Sequence, residues 1–271
     1  MLALLAFSLR LSGLPWLVAV SITPILLIWW PTAPTLGQLV VIWLVFALLA
    51  YHFRHRPLAA GALIGVAALT KFLPAVLLLP FVLRREWKAL FGFALVWVGA
   101  LLTLWLLSPA VFAQYLEANR SASPAMLWVE DNVSLIAVIL RSGHVVLLGG
   151  LAGLLLYLIW LYWPVLRANS PRGWWLTQTL AVVLLPISWH YSLIPLFPVW
   201  IGLFRQGGVV RWLVVVLFSG TVLLGRVHLS AAWSAALLGT LVALVLAQRQ
   251  PDLQAIAVVR RPENEVEGTP T

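Results

Sequence analysis

The stretch GALIGVAALTKFLPAVLLLPFVLRREW, Gly61 to Trp87, places a lysine, Lys71, in the middle of an apolar run that is otherwise uncharged until Arg84, with Pro74 three residues further on. The run from Leu58 to Leu83 is 26 residues long, whereas a transmembrane helix needs only about 20. A proline inside a helical run removes a backbone hydrogen bond and breaks or kinks the helix. The segment therefore reads as a pair of half-helices meeting near Lys71, and the architecture turns on whether the pair crosses the membrane once or doubles back.

A second long run, 174 to 204, is interrupted by PISWHYSLIP, Pro186 to Pro195. Around these two lie further apolar spans at 14 to 30, 36 to 53, 89 to 108, 144 to 166, 212 to 225 and 229 to 247. Basic residues flanking membrane spans collect on the cytoplasmic side, and that rule separates the two topologies. If both long runs are hairpins, Arg10, Arg54, Arg56, Arg84, Arg85, Lys88, Arg167, Arg172, Arg205, Arg211, Arg249, Arg260 and Arg261 share the cytoplasmic face. Only Lys71, Arg120, Arg141 and Arg226 then lie elsewhere, a split of 13 to 4. Single crossings reduce it to 10 to 7, so the hairpin topology is expected. An arm of about 13 residues rises only about 20 Å, short of the roughly 30 Å hydrocarbon core. The hairpin apices, with Lys71 on one and His190 on the other, should lie at outer-leaflet depth. Broken backbone there is tolerated only where protein buries it or a wet cavity meets it.

With 63% hydrophobic and 9% charged residues, the chain has more apolar surface than a soluble fold can bury. The expected fold class is all-α, a polytopic integral membrane protein with broken or re-entrant helices. A single transmembrane domain is expected over residues 1 to 247, followed by a polar cytoplasmic tail at 248 to 271 that lacks the apolar content to fold. Net charge +9 would suit nucleic acid in a soluble chain; here the cations sit beside hydrophobic spans, and no nucleic-acid partner is expected. The absence of cysteine excludes disulfides and thiol chemistry. No P-loop, dinucleotide fingerprint, zinc-ligand spacing or serine elbow is present, so no cofactor and no metal site is expected.

Lys71 is the sharpest chemical signal. A charge near mid-membrane costs about 2.5 to 3.5 kcal/mol on insertion scales and normally faces a cavity or a partner. No acidic residue precedes Glu86, so no local carboxylate is available. An anion, above all a phosphate, is one natural partner, and the N–H groups opening the half-helix after Phe72 favour the same ligand. The competing reading is a lysine that snorkels to the outer interface. His190 sits between Trp189 and Tyr191; an imidazole can donate to phosphate or sugar oxygens, while the aromatic neighbours are equally explained by a membrane interface. His52, His55, His144 and His228 show no ligand spacing. The longest polar stretch, Ser108 to His144, should lie on the outer face and holds Glu117, Glu130 and Asp131. Asp131 or Asn132 is expected to cap the helix that follows, or to form with Glu130 a polar rim over the cavity. Gln38 opens the span at 36, where it caps that span or reaches a ligand.

Taken in order, Gln38, Gly61, Gly65, Lys71, Pro74, Trp87, Asn132, Ser134, Arg141, Ser188, Trp189 and His190 resemble the motif series of glycosyltransferase family 87. That family is related to polyprenol-phosphate-mannose-dependent mannosyltransferases. The resemblance covers about residues 36 to 200. It implies a GT-C fold: a membrane enzyme that moves a sugar, hexosyl or mannosyl, from a polyprenyl-phosphate donor to a lipid or glycan acceptor at the outer membrane face of a bacterial inner membrane. Lys71 and His190 would hold the donor phosphate, and Gln38, Asn132, Trp189 and Tyr191 would face sugar or acceptor.

The sequence departs from the family at the general base, an aspartate expected in the first outer loop near the start of a longer chain. The opening residues, MLALLAFSLR, read as the last turns of a helix, so the N-terminal helices and their base are expected to be missing or supplied by a partner chain. Asp131 and Glu130 are the substitutes on the correct side. A lipid or polyprenyl-phosphate carrier without bond chemistry is the alternative from another class, favoured by broken helices and disfavoured by the lack of a coupling acid. An inactive remnant is a third reading.

Overall fold

The structure, a computed structural model of the chain, describes residues 2–12, 14–15, 40–70, 73–126, 128, 132, 134–168, 170–185, 190–224 and 229–249. For 2–5, 118–126, 190–192, 222–224, 229–232 and 249 it describes the backbone alone. Every regular element among these residues is helical.

The helices are α1 (Leu2–Leu11), α2 (Val40–His52), α3 (Pro57–Thr70), a first 3-10 segment (Leu73–Leu78), α4 (Leu79–Leu83), α5 (Trp87–Leu107), α6 (Pro109–Met126) and α7 (Leu135–Arg141). After these come α8 (Val146–Leu161), α9 (Trp163–Arg167), α10 (Pro171–Val183), a second 3-10 segment (His190–Leu196), α11 (Phe197–Arg205), α12 (Gly208–Leu224) and α13 (Leu229–Arg249). A helix apolar on all sides must be enclosed by others. One such helix, α2, is enclosed here, and so is α10, although it carries polar residues. In α2, Trp43 and Leu44 are fully buried along with most of their neighbours, and in α10 every residue from Leu176 to Val183 is buried. They form the centre against which the two 3-10 segments pack.

The first long run is a hairpin. In α3 the helix closes at Thr70, whose Oγ1 donates to the Ala67 carbonyl at 2.7 Å. The chain resumes as a 3-10 segment with Pro74 buried in its first turn and continues as α4, with Pro80 in its own first turn. The outward arm of 14 residues rises about 21 Å. The returning arm of six 3-10 and five α-helical residues covers about 20 Å, so the chain comes back to the level from which it left. A turn with Arg85 in the left-handed region, at φ 59°, then starts α5. The Arg84 guanidinium fixes that turn through both Glu86 oxygens, Nε to Oε1 at 2.8 Å and Nη2 to Oε2 at 3.1 Å.

The packing of α3 on α5 gives independent support, because the two helices run parallel. Gly61 lies against Ala89 and Gly65 against Phe93 and Val96, so position rises along both helices together. Parallel neighbours can be joined by a short turn only if the intervening chain has gone out and returned. A Cβ at Gly61 would stand 1.8 Å from the Ala89 carbonyl oxygen, and one at Gly92 would stand 2.2 Å from that of Leu58. The backbones therefore touch along a GxxxG-type seam.

The second long run is also a hairpin, with α10 and α11 antiparallel. Arg172 Nη2 donates to Gln206 Oε1 at 2.9 Å, the Trp175 ring lies over Gly202, and Gln178 Nε2 donates to the Pro195 carbonyl at 3.2 Å. A third pair, α12 and α13, closes the bundle, with Leu217 over Gly239. Trp200 of α11 reaches that pair through Nε1, which donates to Thr240 Oγ1 at 2.9 Å. Tyr162 Oη, between α8 and α9, donates to the Leu244 carbonyl at 2.6 Å.

These connections gather the described cations other than Arg141 at one end. Arg84 reaches the Leu166 carbonyl at 3.4 Å and Arg205 reaches that of Ser12 at 3.4 Å. The turns after α2, α4, α9 and α11 thus share a basic end, as the hairpin topology requires. The opposite end holds the connection between α5 and α8. The sequence reading left that stretch as polar chain, but residues 109 to 126 form α6. Helix geometry there is set by the chain's local preference rather than by an apolar period. Among the described residues one helix, Trp87–Leu107, is long and apolar enough to cross a membrane. Phe91, Leu95, Val98, Leu102 and Leu106 are exposed along it.

Candidate functional site

The two chain breaks that the sequence singled out are brought to the same central helices. The 3-10 segment beginning two residues after Lys71 packs on α10 and more lightly on α2; the segment that opens at His190 packs on both as well. Each 3-10 turn arises where proline prevents a regular α-helical ladder, at Pro74 in one and at Pro195 in the other. The result is two stretches of altered backbone flanking one buried core at the end of the hairpins remote from the cations.

A compact hydrogen-bonded unit forms at the same remote end, before α7. Asn132 is fully buried, and its Oδ1 accepts from the Ser134 N–H at 3.1 Å. Ser134, also fully buried, caps α7 by accepting from the Ala137 N–H at 3.0 Å. Arg141, at the last turn of the helix, folds back so that Nη2 donates to the Asn132 carbonyl at 2.6 Å. The helix cap is therefore Ser134 and not Asp131 or Asn132. The Asn132 side chain makes the turn two residues before the cap, and its oxygen is committed to that turn. The spacing of Asn132, Ser134 and Arg141 is explained by this unit, which fixes the chain immediately after Glu130 and Asp131.

Gln38, Lys71, Glu130, Asp131 and Trp189 lie outside the described residues, as does the tail from residue 250. For His190 and Tyr191 the backbone is described, in the second 3-10 segment. Asn132 is thus the one predicted site residue whose side-chain surroundings are given. Among the described residues there is no cluster of potential metal ligands.

One polar residue at this level escaped the sequence reading. Gln178, only 3% exposed, spends its amide hydrogens on the Pro195 carbonyl, inside the segment that holds His190, while its Oε1 has no hydrogen-bond partner among the described residues. A buried amide oxygen without a partner costs about 1 to 3 kcal/mol. The signal was available: Thr177, Gln178 and Thr179 are consecutive polar residues within an apolar run. The two threonines satisfy themselves on carbonyls of their own helix, which leaves Gln178 as the one that reaches across.

Paired short helices, a basic end and altered backbone at the other end describe an all-helical protein, with one helix among the described residues long and apolar enough to cross a membrane. The chain belongs to glycosyltransferase family 87, whose family model matches residues 1–188. Among curated proteins and among solved structures, none matches. Membership makes the protein a membrane glycosyltransferase in general terms. The matched residues take in Gln38, Lys71, Glu130, Asp131 and Asn132 and stop just short of Trp189, His190 and Tyr191.

Proposed function

We propose that this chain is a multi-pass membrane enzyme that transfers a hexosyl group, mannosyl in the first instance, from a polyprenyl-phosphate donor to a lipid or glycan acceptor at the outer face of a bacterial inner membrane. The observation that carries the proposal is the return of both broken runs to the basic end, which sets the two altered segments against one pair of central helices within a family 87 chain. In this reading the Lys71 ammonium and the His190 imidazole hold the donor phosphate. Gln38, Asn132, Trp189 and Tyr191 face sugar or acceptor. The acceptor oxygen attacks the anomeric carbon, the bond from that carbon to the phosphate oxygen breaks, and the polyprenyl phosphate leaves with the electron pair. A cation aimed at the departing phosphate lowers the barrier because charge gathers there in the transition state. The acceptor proton passes to Asp131, with Glu130 as the second carboxylate within reach of that role.

Lys71→Ala and His190→Ala are each expected to abolish sugar transfer in membranes supplied with polyprenyl-phosphate mannose, with expression and thermal stability unchanged. Turnover at the wild-type rate in both variants would overturn the assignment. Binding of polyprenyl phosphate by the wild type without release of sugar to any acceptor would favour the carrier.

A further inference from the structure

We infer that the basic end of the bundle holds a second lipid site, one that takes the phosphate headgroup and one acyl chain of an anionic phospholipid. Helix α11 separates two cavities that both border Arg205. On one side lies a cavity of about 450 Å³ with a polar lining that includes Arg172, Arg205, Ser170 and Gln206. On the other lies an apolar groove of about 420 Å³ formed by Trp200, Phe204, Val215, Phe218 and their neighbours. The division follows from helical spacing: positions 197, 200, 201 and 204 of α11 face the groove, and 198, 202 and 205 face the polar cavity. No described residue lining either cavity is acidic.

Arg172 and Arg205 are held in place, the first by donating to Gln206 Oε1 at 2.9 Å and the second by donating to the Ser12 carbonyl at 3.4 Å. These bonds fix the orientation of two positive charges beside the polar cavity. Two oriented guanidiniums match a phosphate diester in charge and geometry, and basic pockets between membrane helices favour anionic headgroups. The groove decides between a lipid and free phosphate, since a chain anchored at Arg205 has an apolar channel of suitable size beside it. This site stands apart from the donor site at the remote end, and its test does not depend on sugar transfer.

The experiment reconstitutes the full chain in nanodiscs of phosphatidylcholine with a minor fraction of phosphatidylglycerol and reads, by native mass spectrometry, the lipid retained after transfer to mild detergent. Wild type should retain phosphatidylglycerol over phosphatidylcholine. Arg172→Gln and Arg205→Gln should each reduce the preference about fivefold, the worth of one basic side chain at an anionic surface, and Arg205→Lys, which keeps the charge but not the planar fork, should lose less than Arg205→Gln. Val215→Trp, placed on an exposed position of the groove, should reduce retention with both arginines intact. Equal retention in wild type and both glutamine variants would overturn the site. Displacement of the lipid by inorganic phosphate, together with an unaffected Val215→Trp, would overturn the lipid occupant in favour of a free-phosphate site.

Discussion

Asn132, Ser134 and Arg141 convert a short spacing into a rigid unit: one side chain makes a turn, one caps a helix, and one closes back on the first. Ser134→Ala removes the cap and leaves the Ala137 N–H buried without its acceptor. A loss of about 1 kcal/mol is expected, read as a lower midpoint for thermal unfolding in detergent, whereas Ser142→Ala at the exposed far end of the helix should leave the midpoint within error. At this scale the sequence was only partly legible. The pattern announced a helix start near residue 132, but Asp131, Asn132 and Ser134 are all good caps, and only the three-dimensional path of the chain selects among them. Lys71 stands out because an uncompensated charge in an apolar run has few explanations, and it lies outside the described residues. Gln178 gave a weaker signal, three consecutive polar residues in an apolar run, and only the fold shows which of the three reaches across.

Among the helices, the contact between α3 and α5 is the most demanding. Gly61→Ala places a methyl group where the Ala89 backbone already stands. Parting the two helices is expected to cost about 1 to 3 kcal/mol and to lower both the folded yield and the thermal midpoint. Gly99→Ala, further along α5 with no neighbour within 4 Å, should be neutral or slightly stabilising, since alanine is the better helix former. Measuring the two variants side by side separates backbone contact from helix propensity. The glycines at 61 and 65 were visible in the sequence at the right spacing. Their partner was not, because a small-residue stripe says that a backbone comes close without saying which one.

Across the whole molecule the consequence is directional. The turns after α2, α4, α9 and α11 share one end, and the α7–α8 connection lies at the other. Because the chain has no cysteine, single substitutions can report this cleanly. Cysteines at Arg56, Arg85, Arg167 and Gly207 should react with a membrane-impermeant maleimide only from one side of a sealed vesicle, and one at Gly143 only from the other. Labelling of Arg56→Cys and Arg85→Cys from opposite faces would mean that the run between them crosses once. This topology was readable beforehand from two sequence facts, the prolines inside the long runs and the lopsided distribution of arginine. The depth of the core was not readable: α10 is central although it carries Thr177, Gln178 and Thr179, whereas the more apolar α5 and α8 are largely exposed.

The parallel seam between α3 and α5 also bears on how the chain is made. An arm of 14 residues is too short to span a bilayer by itself, and the surface that completes its glycine seam, Ala89 to Val96, belongs to a helix synthesised later. The hairpin from Pro57 to Leu83 thus leaves the ribosome before its supporting surface exists. Its stable insertion is therefore expected to wait for α5, the first long apolar helix after it, so that a chain ending at Leu83 should associate with membranes less firmly than one ending at Leu107.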